Sequence, residues 1–242
     1  MSRTEILGIA FDDVGIPEAA ETALRLMEQR RAAYVVTPNP EIVLDARKDP
    51  ELLAAIEGAA LVLPDGVGVI YASRILGREL QNRVPGIDFA SALMARMAEK
   101  HKSVYLLGAK PGVAEAAAAA LTGRFPGLVT AGCRDGYFAP GETEAILASI
   151  NEAAPDLLLV CLGSPKQEKW MRANAERLRV GLMAGLGGAL DVYAGVAERA
   201  PEKWRELGLE WLYRLIKEPK RIKRMIRLPG ILTAAVREKI GG

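Results

Sequence analysis

The chain has 242 residues, half of them hydrophobic and 26% charged, with 32 Lys/Arg against 30 Asp/Glu and a formal net charge of +2. That length suits one large domain or a domain plus an appendage, and the composition is ordinary for a globular protein. No apolar run approaches the ~20 residues that span a bilayer, a single histidine (His101) argues against a His triad or His-based metal site, and Cys133 and Cys161 lack metal-ligand spacing. The start, Met1-Ser2-Arg3-Thr4-Glu5, leads into a short apolar run broken by Asp12 and Asp13, unlike a signal peptide. Both cysteines lie in or beside apolar runs and read as reduced, buried residues of a cytoplasmic protein.

In chain order, the apolar runs Ile6–Ala10, Ala33–Thr37, Ala60–Leu63, Ser103–Gly108, Leu128–Gly132, Leu157–Gly163 and Val180–Leu186 read as strands. Most are apolar almost throughout, as strands covered on both faces are. Helical patterns separate them at Pro17–Arg31, Pro40–Ile56, Val67–Leu76, Ile87–Lys100, Val113–Arg124 and Glu142–Glu152. The alternation predicts an α/β fold: a mostly parallel, Rossmann-like sheet with helices on both faces, plus a C-terminal helical basic appendage. The boundary falls near residue 200, with the α/β core over 1–200 and the appendage over 201–242.

In such sheets ligands bind outside the carboxyl ends of the strands, and five strand ends here are unusual. The second ends in Thr37-Pro38-Asn39-Pro40, where Thr37 and Asn39 offer neutral donors and acceptors suited to sugar hydroxyls or, equally, to helix capping. The third ends in Pro64-Asp65-Gly66-Val67-Gly68. Asp65, held on a stiff turn, is a general base if it faces a cleft and an N-cap if it faces the following helix, and the pattern leaves both open. Arg83-Val84-Pro85-Gly86-Ile87-Asp88 follows, with Arg83 able to meet a phosphate and Asp88 placed at a helix start. The turn Gly108-Ala109-Lys110-Pro111-Gly112 presents amides before a helix, suited to a pyrophosphate, and Gly185-Leu186-Gly187-Gly188 is a second backbone-rich turn. Between them Gly163-Ser164-Pro165-Lys166-Gln167-Glu168 opens a helix, with Gln167 the better ligand candidate. Neither a Walker loop nor the G-x-G-x-x-G dinucleotide fingerprint is present, which argues against a dinucleotide-dependent oxidoreductase.

The end of the chain differs in charge. From Lys203 onward there are eleven Lys/Arg against four Asp/Glu, leaving 21 and 26 for the rest of the chain. Before Pro219 an apolar stripe recurs at Trp204, Leu207, Trp211, Leu212 and Leu215. Beyond it Ile222, Met225 and Ile226 face Lys220, Arg221, Lys223, Arg224 and Arg227. Basic residues among large apolar ones suit an anionic membrane surface. They equally fit a helix packed on the body, and a binding protein gripping nucleic acid is the rival reading, weakened by the lack of any nucleic-acid motif.

Taken in register, Thr37-Pro38-Asn39, Pro64-Asp65-Gly66-Val67-Gly68, Arg83-Val84-Pro85-Gly86-Ile87-Asp88, Leu162–Glu168, Arg199-Ala200-Pro201, Glu210–Arg214 and Glu218–Arg221 resemble the TagA/WecG/CpsF family of bacterial glycosyltransferases, from about Ile6 to Met225. The resemblance implies transfer of N-acetylmannosamine, or a related sugar, from a UDP-sugar to the C4 hydroxyl of N-acetylglucosamine on undecaprenyl pyrophosphate. The setting would be wall teichoic acid or surface polysaccharide synthesis, by a peripheral protein on the cytoplasmic membrane face. It further implies inversion at the anomeric carbon, no metal and no other cofactor, and the chain has no Asp-x-Asp pair. Asp65 would be the general base, with Thr37, Asn39, Arg83 and Gln167 positioning the substrates. The acceptor would lie against residues of about 1–100, including Gly66 and Asp88. The UDP-sugar would lie against residues of about 101–200, at Gly108, Ala109, Lys110, Gly136, Tyr137, Gly163, Gly185, Gly187 and Asp191. Arg214, Arg221 and Arg224 would fold over the cleft to offset the pyrophosphate charge, and nucleic acid is no partner. Self-association, covering the apolar stripe away from the membrane, is a further expectation.

Overall fold

A computed structural model of the protein describes residues 2–30, 33–217 and 228–241. The chain opens on an antiparallel hairpin, β1 (Arg3–Ile6) and β2 (Ile9–Asp12), with Ile6 opposite Ile9. The run Ile6–Ala10, expected as one strand, therefore reverses in its middle. Leu7 and Gly8 both take positive φ (54° and 85°), as in the two-residue turn whose twist matches its flanking strands. Asp12, buried, fixes the hairpin to the body by accepting from the Val62 N–H at 2.8 Å and pairing with Arg3 at 3.0 Å.

There follow α1 (Ile16–Glu28), β3 (Ala33–Val36), α2 (Pro40–Ala46), α3 (Pro50–Glu57), β4 (Leu61–Val62), α4 (Val67–Leu76), α5 (Gly86–Glu99) and β5 (Ser103–Gly108). Then come α6 (Val113–Arg124), β6 (Val129–Arg134), α7 (Thr143–Ala153), β7 (Leu157–Cys161), α8 (Lys166–Asn174) and β8 (Leu182–Gly185). The last described elements are α9 (Ala189–Tyr193), α10 (Glu202–Glu206), α11 (Glu210–Lys217) and α12 (Leu228–Gly241). The single helix expected over Pro40–Ile56 is two helices. Pro50 has no N–H to continue the first, and Asp49 caps the second by accepting from the Leu52 N–H at 3.1 Å.

Among the described residues, six strands form one parallel sheet in the order β4-β3-β8-β7-β5-β6. Successive residues of a strand point to opposite faces, and here each face meets its own core. Leu157, Leu159 and Cys161 of β7 pack with α1, α5, α6 and α9, whereas Leu158 and Val160 pack with α2, α3, α4, α7 and α8. This explains why the strands read as unbroken apolar runs. The expected α/β class with a parallel sheet is borne out.

α12 belongs to the second core. Ile231 and Ala235 are fully buried there with Val69 and Ala72 of α4, and α12 also packs on α2. Truncating a fully buried isoleucine removes its transfer energy and leaves a cavity. Ile231→Ala is expected to lower unfolding free energy by about 2–5 kcal/mol in chemical denaturation, as a single transition. A change below ~0.5 kcal/mol, the range of surface substitutions, would show that α12 is not part of the cooperative unit.

Candidate active site

A cleft of about 500 Å³ opens at the carboxyl ends of β3, β4 and β8. Thr37, Asn39, Asp65, Gly66 and Arg83 all line it. The sequence places these residues at three separate strand or helix ends, and the sheet order brings them to one wall.

Asp65 is not the N-cap of the helix that follows it: Gly66 is the N-cap of α4. The Asp65 main chain donates to the Pro38 carbonyl at 3.2 Å, and its Oδ2 accepts from the Gly86 N–H at 3.3 Å. Gly86 is the first residue of α5, so the carboxylate meets the positive end of that helix. The close approach favours glycine: a Cβ on Gly86 would lie 3.1 Å from both Leu186 Cδ2 and Thr37 Oγ1. Thr37, buried, donates to the Gly185 carbonyl at 3.4 Å and ties the ends of β3 and β8 together. Asn39 caps α2, its Oδ1 accepting from the Glu41 and Ile42 N–H groups at 3.0 and 3.1 Å, while the residue still lines the cleft.

Asp88 is turned away from the cleft. It pairs with Arg199 at 2.5 Å. The Tyr193 hydroxyl donates to the Ile87 carbonyl at 3.2 Å and lies 3.0 Å from Ser91 Oγ. Burial pushes the Tyr193 hydroxyl up to about 12, so it stays a protonated donor at neutral pH. The segment after β8 thus grips the first turn of α5, the same turn that holds Asp65.

Gln167 lies behind the cleft wall rather than on it. It is buried, its Oε1 accepting from the Gly187 N–H at 2.9 Å and its Nε2 donating to Glu168 Oε1 at 2.9 Å. The next residue of that turn, Gly188, is on the wall. Asp191 is half-buried with its carboxylate toward Gly188.

The other residues expected at a nucleotide site form a second group, at the ends of β5, β6 and β7. The Gly136 N–H donates to the Ala109 carbonyl at 2.9 Å, close against Gly108. Lys166, near Gly163, donates to the Gly136 carbonyl at 3.3 Å and stands over the Phe138 ring at 4.5 Å. Lys110 is exposed, and Tyr137 is 68% exposed with its N–H on Asp135. The end of β8, with Gly185 and Gly187, lies between this group and the Asp65 group.

Residues 4–242 match the family model of the Glycosyl transferase WecG/TagA/CpsF family. The chain belongs to that family. It is similar to the N-acetylglucosaminyldiphosphoundecaprenol N-acetyl-beta-D-mannosaminyltransferase of Bacillus spizizenii strain W23, 34% identical over 213 residues, which are 88% of this chain and 82% of that protein. The protein of the same name from Bacillus subtilis strain 168 is also 34% identical over 213 residues. That of Staphylococcus aureus strain MW2 is 35% identical over 230 residues, 94% of this chain and 90% of that protein. The seven motifs that suggested this WecG/TagA/CpsF membership from sequence run from Thr37 to Arg221, within that match.

The C-terminal segment closes one side of the cleft. Arg83 donates to the Arg205 carbonyl at 3.2 Å, and Gly208, Glu210 and Trp211 line the wall with Pro229 and Leu232. Trp204 and Tyr213 pack edge to face at 5.7 Å, and Glu198 accepts from Tyr213 and pairs with Lys217. Arg221 and Arg224, expected over the cleft, lie outside the described residues, as does the side chain of Arg214. Tyr71 and Glu41 also line the cleft and were not singled out from sequence, and Glu210, the first residue of the Glu210–Arg214 motif, lines it too. Tyr71 carried a usable signal, one helical turn beyond Val67. Among the described residues no helix is long and apolar enough to cross a membrane, and no group of three His, Cys, Asp or Glu is placed to hold a metal ion.

Gly208 has φ of +69°, and a Cβ there would lie 2.6 Å from Val67 Cγ1. Gly208→Ala is therefore expected to cost about 1–3 kcal/mol at that contact and lift α10 and α11 off α4. Faster proteolysis beyond residue 200 and altered Trp fluorescence, with the unfolding midpoint of the core retained, would show this. Unchanged proteolysis would mean that the contact does not hold the segment.

Proposed function

We propose that this chain is an inverting hexosyltransferase. It moves N-acetylmannosamine, or a closely related sugar, from a UDP-sugar to the C4 hydroxyl of the N-acetylglucosamine carried on undecaprenyl pyrophosphate. Family membership and the activity for which the relatives are named support the sugar and the acceptor. The placement of Asp65 is the observation that carries the chemistry: a carboxylate on the cleft wall, oriented by the Gly86 N–H, with Thr37, Asn39 and Arg83 on the same wall.

The reaction is a single displacement. The acceptor O4 attacks the anomeric carbon, its proton passes to an Asp65 carboxylate oxygen, and the bond from that carbon to the diphosphate oxygen breaks, releasing UDP. Inversion requires base and leaving group on opposite faces of the sugar. With the nucleotide at the β8 turn and the glycine turns beyond it, base and diphosphate stand at different strand ends. β4 and β8 are separated by β3. At about 4.8 Å per inter-strand step, that leaves roughly 10 Å, room for one hexose between them. The developing diphosphate charge falls to main-chain amides and to arginine, groups that are effective where water is excluded. Arg83 contributes to positioning, and Arg214, Arg221 and Arg224 are the cations of the C-terminal segment assigned to the diphosphate. The same basic, apolar segment holds the protein peripherally on the anionic cytoplasmic face of the membrane, where the lipid acceptor resides, in wall teichoic acid or surface polysaccharide synthesis. No metal takes part in this scheme.

UDP release is expected when UDP-N-acetylmannosamine is supplied with a short-chain lipid-pyrophosphate N-acetylglucosamine. Asp65→Asn keeps the shape and removes the base, so its rate should fall by roughly two to four orders of magnitude. A loss under threefold would take Asp65 out of the role, and acceptor-independent release would take the chain out of this reaction.

A further inference from the structure

We infer that Glu168 is a positioning residue for the donor nucleotide: through Gln167 it sets the main chain of the turn after β8. The inference rests on the proposed assignment of that turn to the UDP moiety.

Glu168 is 1% exposed, on the first turn of α8 and on the side facing the sheet. Its Oε1 accepts from Gln167 Nε2, and its Oε2 has no partner among the described residues. Burial pushes its carboxyl above the usual range, against the opposing pull of hydrogen bonds from Gln167, from its own main-chain N–H and from Ser164. A buried carboxyl with an unmet oxygen destabilises a fold, and a hydrophobic side chain of similar volume is normally the more stable occupant. Stability therefore does not account for Glu168. Its bond to Gln167 does.

Gln167 spans the gap between α8 and the sheet edge as a two-ended clamp. Its carbonyl oxygen holds the Gly187 N–H, and its NH₂ is held by Glu168. Without an acceptor on the NH₂ side, the amide of Gln167 is free to rotate and to present nitrogen instead of oxygen to Gly187. Glu168 thus fixes which end of the amide faces the turn. Gly187 takes a positive φ of 52°, and the residues on either side, Leu186 and Gly188, line the cleft. A released Gly187 leaves the turn without the bond that holds this conformation, whereas Asp65 follows β4, two strand positions away.

The test is UDP binding by calorimetry together with steady-state kinetics on the full chain. Glu168→Met, close in volume and without the acceptor, is expected to weaken UDP binding at least tenfold and raise KM for the UDP-sugar in parallel. KM for the lipid acceptor should change less than threefold, and the thermal midpoint should hold or rise. Glu168→Gln retains an acceptor oxygen and should stay within threefold of the parent. In a Gln167→Met background, Glu168→Met should have no further effect on UDP affinity. Should Glu168→Met fail to fold, Glu168→Asp decides: it keeps the carboxyl but retracts it by one methylene, and at least threefold weaker UDP binding is expected. Parent-like UDP binding by the folded Met variant, or by the Asp variant, overturns the inference. So does a loss of stability that tracks the loss of affinity. If the parent protein itself binds no UDP, the assignment of the turn to the nucleotide falls, and the inference falls with it.

Discussion

The first turn of α5 is held from three directions, and the candidate site depends on it. Below, the missing side chain of Gly86 lets the helix end settle between Thr37 and Leu186. From the C-terminal side, Tyr193 takes the Ile87 carbonyl and Arg199 takes the Asp88 carboxylate. Toward the cleft, the Gly86 N–H takes Asp65 Oδ2. A helix N-terminus has main-chain N–H groups without intrahelical partners, and one of them here orients the carboxylate on which the proposed chemistry turns. Because the other grips come from residues 193–199, the carboxylate's orientation is tied to the end of α9 and the segment after it.

The C-terminal segment is integrated into this arrangement rather than laid over it. Its first part is bonded to Arg83 and pressed onto Val67, and α12 contributes Ile231 and Ala235 to the core beneath α4. α4 begins at Gly66, directly after Asp65. One helix thus has the cleft at its N-terminus and the end of the described chain along its side. Burial of α12 stabilises the element that follows the proposed base, so the charge contrast along the sequence does not mark a structural boundary at α12.

Much of this was legible in the sequence where physics is local. The helices Val67–Leu76 and Val113–Arg124 match their patterns residue for residue, since glycines stand directly before both. The apolar strands announced a doubly covered sheet. Local patterns failed where a long-range partner decided the outcome. Asp88 read as a ligand or a cap because Arg199, 111 residues away, was invisible. Gln167 read as a cleft residue because a polar helix start resembles a solvated one, and the burial of Gln167 and Glu168 follows from the packing of α8 on the sheet. Leu7 gave no warning of a hairpin, since leucine rarely takes positive φ. Thr37, Asn39, Asp65, Gly66 and Arg83 come to one cleft because every one sits at a strand or helix end on the same side of a parallel sheet.

The strand order has a consequence for how the molecule is made. β8 sits between β3 and β7, although it is the last strand in the sequence. Val35 and Val36 of β3 must wait for Ala184 and Gly185 before they have a neighbour on that side. On a ribosome that delay is on the order of ten seconds. During it the sides of β3 and β7 that β8 covers in the finished sheet lack that neighbour. The cleft takes its walls from residues after β3, β4 and β8 and from the C-terminal segment, so it is not formed before β8. It appears when β8 enters, and the face of α4 is covered later still, when Ile231 and Ala235 have been added.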